Sequence, residues 1–286
     1  MDASTMVNKM LMWGVCCVAA ILIGGAVLQL SRSRVAEENV GSQSFSAAEI
    51  TTACSEMPLT EMEVLECSHA FEEICNAYSN LQFETMQERF CGISNKVVRL
   101  GKGQLDKLID PLQITFRERF WSDSRNLPDF ATVSNFDRHL NANVVAVKIL
   151  GFSIAANDVY NTDLLGYDVV VFKRITAYLR KFKENGNEQL ALSAQMHLDE
   201  WKEYLASEQS LTRIYLRHQL MGFLQWPRWR AEDLGMKSKK DWIVYMRNYA
   251  LKFHEQNYGI VPKWLDEEFP LPQNGEDIKT NPEKAQ

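Results

Sequence analysis

Charge is missing from one long stretch near the start of this chain. From Met10 to Ser31, 22 consecutive residues include no Asp, Glu, Lys or Arg, and the run is bounded by Lys9 and Arg32. At about 1.5 Å per residue, a helix of that length crosses a hydrocarbon core of about 30 Å. A cleaved leader would have a shorter apolar core of about 7–15 residues, followed by a small-x-small site. Here the run closes on Leu28, Gln29, Leu30, Ser31 and Arg32, and Gly24-x-Ala26 lies inside it. Cys16 and Cys17 follow Trp13-Gly14-Val15, which is no lipobox, and read as small apolar residues facing lipid or another span. The run is therefore read as an uncleaved single-pass anchor.

Other absences narrow the function. The chain contains no Gly-x-Ser-x-Gly, P-loop, His-Glu-x-x-His or Rossmann fingerprint. It has no Cys-x-x-Cys, which argues against thioredoxin-like redox chemistry and against zinc held by closely spaced ligands. No cofactor or metal site is read from it. The next most apolar stretch, Asn143 to Ala156, is 14 residues long and carries Lys148, so it is read as a buried core helix rather than a second span. A single span without a cytoplasmic domain argues against a transporter or a channel acting alone. No internal repeat has a fixed period.

Four cysteines stand behind the anchor within 38 residues: Cys54, Cys67, Cys75 and Cys91. Charge gives no orientation, because Lys9 and the terminal amine face Arg32 and Arg34 across the span. An even cysteine set at short spacing suits disulfides and an oxidising compartment. The expectation is therefore a single-pass protein of a bacterial inner membrane, with its C-terminal domain in the periplasm. Cys67 and Cys75 lie eight residues apart on one predicted helix, a rise of about 12 Å, which no disulfide tolerates. Two connectivities remain: Cys54–Cys75 with Cys67–Cys91, which a hairpin turn near Asn80 slightly favours, or Cys54–Cys67 with Cys75–Cys91.

The rest of the chain reads as helical. Residues 1–9 are a short tail, 10–31 the anchor and 32–48 a linker low in apolar residues. Residues 49–103 form a cysteine-containing hairpin, 104–265 a helical bundle, and 266–286 an acidic, proline-bearing tail with no face to bury. Apolar residues recur at three and four throughout 49–265, which predicts an all-α domain of about eight helices. Thr60 and Glu63 form a capping box for the first helix, with Val64, Cys67, Phe71, Ile74, Cys75 and Tyr78 on one face. Asn80 is expected to cap the second, and Asp110-Pro111 to break or kink the third. Ser134 with Asp137, Thr162 or Asp163, and Ser238 with Asp241 mark later starts. The seventh helix is expected to bury Leu211, Ile214 and His218, and the eighth to carry Trp242, Tyr245, Tyr249 and Phe253 on one face. The β-branched run Val169-Val170-Val171-Phe172 sits inside a helical pattern and is read as helix.

Charge is unevenly placed. The total is −6, yet residues 49–91 hold nine Glu and one Arg, whereas residues 213–254 hold nine cations against Glu232, Asp233 and Asp241, a surplus of +6. In that basic region Trp226, Arg228, Trp229 and Arg230, with Lys237, Lys239 and Lys240, are singled out as an exposed interaction surface. The three lysines at a helix start oppose the dipole, so an acidic neighbour is expected: a partner, anionic lipid, or this chain's own Glu-rich hairpin. The plainer reading is a solvated face above core aromatics. Glu66 with His69 is half of a dimetal motif whose other half is missing, so it and the pair His197 and Glu200 are read as surface pairs.

These observations lead to a non-enzymatic, membrane-anchored interaction protein, a component or accessory subunit of a membrane-associated complex. Its expected partners are other membrane or envelope proteins, with the bilayer engaged through Met10–Ser31 and nucleic acid disfavoured by the acidic total. The second reading is an anchored envelope enzyme of the carboxylate-based, glycan-hydrolase kind, with a site assembled from residues far apart in sequence.

Overall fold

The computed structural model describes residues 58–121, 127–158, 160–224 and 238–270. The anchor at Met10–Ser31, the linker, Cys54 and the tail beyond Pro270 lie outside the described residues. Among the described residues eight helices of fourteen residues or more follow one another: α1 (Glu61–Ser79), α2 (Phe83–Val97), α3 (Lys102–Phe116), α4 (Val133–Asn157), α5 (Asp163–Glu184), α6 (Glu188–Ala206), α7 (Leu211–Leu224) and α8 (Lys239–Tyr258). A short helix, α9 (Trp264–Glu268), closes the described chain, and no strand occurs among the described residues. The all-α expectation holds.

Local sequence chemistry explains most of the ends. Thr60 accepts from the Glu63 amide while the Glu63 carboxylate accepts from the Thr60 amide, so α1 begins at its capping box. Ser238 caps α8 by accepting from the Asp241 amide. Thr132, not Ser134, caps α4, accepting from Asn135. Asn80 does not start α2. It ends α1, its amide nitrogen donating to the Asn76 carbonyl, and Leu81 then takes φ 57° to reverse the chain within three residues. α3 runs through Pro111 rather than ending there. Pro111 and Lys107, whose carbonyl loses its amide partner, both lie on the exposed side, where water replaces the bond.

One helix organises the rest. α4 packs against α1, α2, α3, α5, α6 and α7, and its buried residues, from Phe136 and Leu140 to Leu150 and Ile154, point in every direction around it. A helix that is apolar all round belongs inside. Its 25 residues are long and apolar enough to cross a membrane by length and composition, but most of that apolar window is buried in the bundle. The apolar stretch 143–156 is thus the C-terminal part of a longer core helix. The most extensive pairings around it are α1 with α2 and α5 with α6.

Two glycines let helices approach closely. A Cβ on Gly151 would lie 2.2 Å from Leu211 Cδ1, and one on Gly166 would lie 2.4 Å from the Trp121 ring. Trp121 ends a π-helical turn, Arg117–Trp121, that continues α3. Its Phe120 carbonyl accepts from buried Arg174 Nε at 2.8 Å, which satisfies both the widened turn and a buried cation.

The packing faces of the last helices differ from those expected. α7 buries Leu211, Thr212, Tyr215, Leu216 and Leu220, leaving Ile214 and His218 half-buried. α8 buries Trp242, Met246, Ala250, His254 and Tyr258, a stripe one residue round from the aromatic one, so Tyr245 and Tyr249 are exposed. Aromatic bulk suggested burial there, whereas Ala250 and His254 occupy the positions that face the bundle.

Candidate functional site

Of the seven residues of the expected interaction surface, only Lys240 has a described side chain. Trp226, Arg228, Trp229, Arg230 and Lys237 lie outside the described residues, as does the Lys239 side chain; Lys240 is exposed at the start of α8. Beyond it the helix presents Tyr245 and Tyr249, 50% and 41% exposed, one turn apart. Tyr245 stacks on buried Trp242 with ring centres 5.2 Å apart, and Tyr249 stacks on Phe253 at 6.4 Å. Lys252 is exposed next to them. Two rigid, half-wet aromatic rings, one supported by buried Trp242 and the other by half-buried Phe253, are suited to contact without much loss of side-chain freedom.

Part of the basic surplus is structural. Arg213 donates to Glu268 at 2.9 Å, Arg217 lies 3.6 Å from the same carboxylate, and Arg247 donates to Asp266 and to the Phe269 carbonyl at 3.0 Å. Trp264 Nε1 donates to the Leu205 carbonyl, and the Arg213 guanidinium stands over the Trp264 ring. These arginines clamp α9 onto α7 and α8. The chain from Asp266 to Phe269 therefore belongs to the fold, with Phe269 fully buried, and not to the acidic tail. Extending the count to Pro270 adds Lys263 against Glu255, Asp266, Glu267 and Glu268, and halves the surplus to +3. Three acids of the Glu-rich hairpin pair within it: Glu66 with Lys96 and Glu73 with Arg89 of α2, and Glu63 with Arg99 just beyond α2.

The cysteines do not pair as expected. No disulfide forms among the described residues: Cys67 is fully buried, Cys75 half-buried and Cys91 exposed. Both proposed connectivities require Cys67 and Cys75, and both thiols are free. The reason is rotational. Cys67 points into the core beside Phe71 and Ile74, while α2 packs through Met86, Ile93 and Val97 and turns Cys91 to the outside. Burial pushes the Cys67 and Cys75 thiols up in pKa, so they behave as small apolar residues. The support that these residues gave to an oxidising compartment falls with the pairing.

The structure assembles two polar clusters that periodicity did not reveal. Asp168 on α5 is fully buried and accepts from the Thr212 amide at 2.8 Å, Ser210 Oγ at 2.9 Å and the Tyr204 hydroxyl at 3.1 Å. Thr212 Oγ1 extends the network to the Tyr258 hydroxyl, and the Tyr204 oxygen accepts from the Leu211 amide. One carboxylate thus holds the start of α7 against α5, α6 and α8, where the free amides and the helix dipole favour negative charge. Burial raises its pKa to about 6, opposed by the donors from Thr212, Ser210 and Tyr204. A raised carboxylate in an open cleft would suit a general acid. Asp168 instead sits in packed core with its oxygens occupied, which makes it an anchor.

The second cluster joins α4 to α6. Asp137 Oδ1 accepts from Ser193 Oγ and lies 3.1 Å from His197 Nε2, while His197 Nδ1 lies 3.5 Å from Glu200. Burial opposes charge on this ring, but Glu200 and Asp137 outweigh it and raise the pKa. The residue types match a hydrolytic triad and the order does not. A nucleophile needs imidazole between serine and carboxylate; here the carboxylate stands between, and both ring nitrogens are committed to acids. His197 and Glu200, read as a surface pair, lie one turn apart on α6, and Asp137 of α4 completes the cluster across the two helices. The Glu66–His69 pair is dissolved, because Glu66 serves Lys96. No group of three or more metal-ligating side chains is arranged to hold an ion among the described residues.

No family model matches this chain, and neither does any curated protein or solved structure.

Proposed function

We propose that the chain is a membrane-anchored, non-enzymatic interaction protein, a subunit or accessory component of a membrane-associated complex, held by Met10–Ser31. The observation that supports it most is the exposed Tyr245–Tyr249 pair on α8, flanked by Lys240 and Lys252 and continuous in sequence with the basic Trp226–Lys240 segment. The partner is an envelope or membrane protein with an acidic, partly apolar face. Arg and Tyr on such a surface exclude water around a few strong contacts. The α9 clamp supports this reading from the other side: it accounts for Arg213, Arg217 and Arg247 within the chain and leaves Lys240 and Lys252 outward.

The test is affinity purification of full-length chain from detergent-solubilised membranes, comparing wild type with a Tyr245→Ser, Tyr249→Ser double variant. A defined stoichiometric set should co-purify with wild type and be lost from the variant, whose melting temperature should stay close to that of wild type. Recovery of the same set with the variant would overturn the reading. We place the domain on the periplasmic side of a bacterial inner membrane. A protease that cannot cross membranes should cut it in spheroplasts, and protection until lysis would reverse the orientation.

A further inference from the structure

The outer flank of the α1–α2 hairpin is an open groove with an apolar floor. Met62, Leu65 and Ala70 of α1 and Gly92 and Ile93 of α2 line it. Met62, 66% exposed, is the most exposed large apolar side chain among the described residues, and Leu65 is 52% exposed beside it. Glycine inside a helix is disfavoured relative to alanine. Gly151 and Gly166 are explained by Leu211 and Trp121, which occupy the space that a Cβ would need. A Cβ on Gly92 would meet nothing within 4 Å. The space above Gly92 is therefore open to a side chain from outside.

Charge marks the rims of this groove. Residues 58–100 hold seven Glu against Arg89, Lys96 and Arg99, a net −4. The three cations are already held by Glu73, Glu66 and Glu63, so they offer little to an acidic ligand. Glu61, Glu72, Glu84 and Glu88 are exposed and pair with no cation among the described residues. Glu61 and Glu72 stand to either end of Leu65 along α1, about 16 Å apart at 1.5 Å per residue. Glu84, Glu88 and Gly92 recur at intervals of four on α2, so they share one stripe.

We infer that the groove docks a cationic amphipathic helix of a partner protein, laid beside α1 and α2 as a third helix. The partner's apolar stripe covers Met62 and Leu65 and seats a large side chain over Gly92. Its Lys and Arg meet Glu61 and Glu72 on one rim and Glu84 and Glu88 on the other. About three turns span the distance from Glu61 to Glu72. The sign of the charge selects this occupant. Anionic lipid, nucleic acid or an acidic peptide would face four unneutralised carboxylates, and a second copy docked groove to groove would set acid against acid. The site is separate from the Tyr245–Tyr249 face. The hairpin packs on α3 and α4, whereas α8 packs on α5, α7 and α9, so the two readings stand or fall independently.

The probe is a fluorescein-labelled, end-capped peptide of about five helical turns, with leucine and alanine on one face and lysine on the other. Its binding to full-length chain in neutral maltoside micelles is read by fluorescence anisotropy, with the signal from empty micelles subtracted. A peptide with glutamate at every lysine position is the control. Wild type should bind the lysine peptide roughly tenfold or more tightly than the glutamate peptide, and the preference should shrink as salt is raised. A Glu61→Gln, Glu72→Gln, Glu84→Gln, Glu88→Gln variant should lose roughly tenfold in affinity, as expected for four solvent-screened contacts. Gly92→Trp fills the open space and should weaken the lysine peptide comparably. Both variants should melt close to wild type, because the altered side chains have no partner in the described fold. Equal binding of the two peptides would overturn the proposal, as would lysine-peptide binding that either variant leaves intact. Wild-type chain that self-associates in sedimentation and becomes monomeric with Gly92→Trp would also overturn it, because the groove would then belong to a second copy.

Discussion

The α1–α2 hairpin and the α5–α8 half of the molecule handle charge in opposite ways. The hairpin sets its acids and bases on the surface, where Glu73 and Arg89 are each about half exposed. The other half buries them: Asp168, Arg174, Arg213 and His254 all have less than a tenth of their surface in water. Surface pairs gain little because water competes and long side chains lose freedom. Buried polar groups are costly unless satisfied, and so become decisive once they are. Hairpin charges should therefore be replaceable, whereas the polar interior of the second half should not.

The strongest test of that contrast is Asp168→Ala. It strands the Thr212 amide and the Ser210 and Tyr204 hydroxyls in the core, each at about 1–3 kcal/mol. We expect a total loss of roughly 3–5 kcal/mol in urea denaturation. A loss under about 1 kcal/mol would mean that the network relaxes freely and the contrast fails.

Acid should expose the same polarity through His254. Both of its ring nitrogens are buried without a hydrogen-bond partner among the described residues, in a cage of Phe253, Tyr258 and Trp264. Burial lowers its pKa from 6.5 to about 4. The unfolded chain takes up the proton first, so the stability is present above pH 6.5 and is lost as pH falls towards 4. A shift of that size corresponds to about 3 kcal/mol. His139, lowered to about 4 by burial and by Arg174 and Arg119, acts in the same direction. Asp168 acts oppositely, since its raised pKa favours the fold as pH drops from about 6 towards 3.8. Comparing wild type with His254→Phe isolates one term. Between pH 7 and 4.5 the denaturation midpoint should fall less in the variant, and parallel curves would show that His254 carries no such linkage.

The smallest effect is expected at the hairpin surface. Glu73→Gln removes one exposed partner of Arg89 and should change the unfolding free energy measured in urea by no more than about 0.5 kcal/mol, less at high salt. A loss comparable to that at Asp168 would erase the distinction between the halves.

The residues that were legible in advance share one property: their partners are near in sequence. Thr60 with Glu63 and Ser238 with Asp241 mark helix starts because a cap reaches only two or three residues ahead. Gly186 ends α5 in the left-handed region for an equally local reason. Faces were less legible. On α8 the aromatic spacing matched one stripe and the packing chose the next, because a helix with apolar residues on two adjacent stripes has two nearly equal ways to turn. The cysteines failed similarly: spacing excluded Cys67–Cys75 but could not show that Cys91 turns outward.

What the sequence determined by itself is the helical class, several of the helix starts, the uncharged run at Met10–Ser31 and the uneven charge. All are set by composition or by contacts within about one turn. Tertiary structure alone decided that Asp168 meets Thr212, that Asp137 stands between Ser193 and His197, and that Arg213 and Arg247 clamp Glu268 and Asp266. Except for Arg247–Asp266, these partners lie more than 40 residues apart, and periodicity carries no information over that distance. Their pairing is fixed by which helix faces pack together, and a buried donor or acceptor then takes whatever partner that packing delivers.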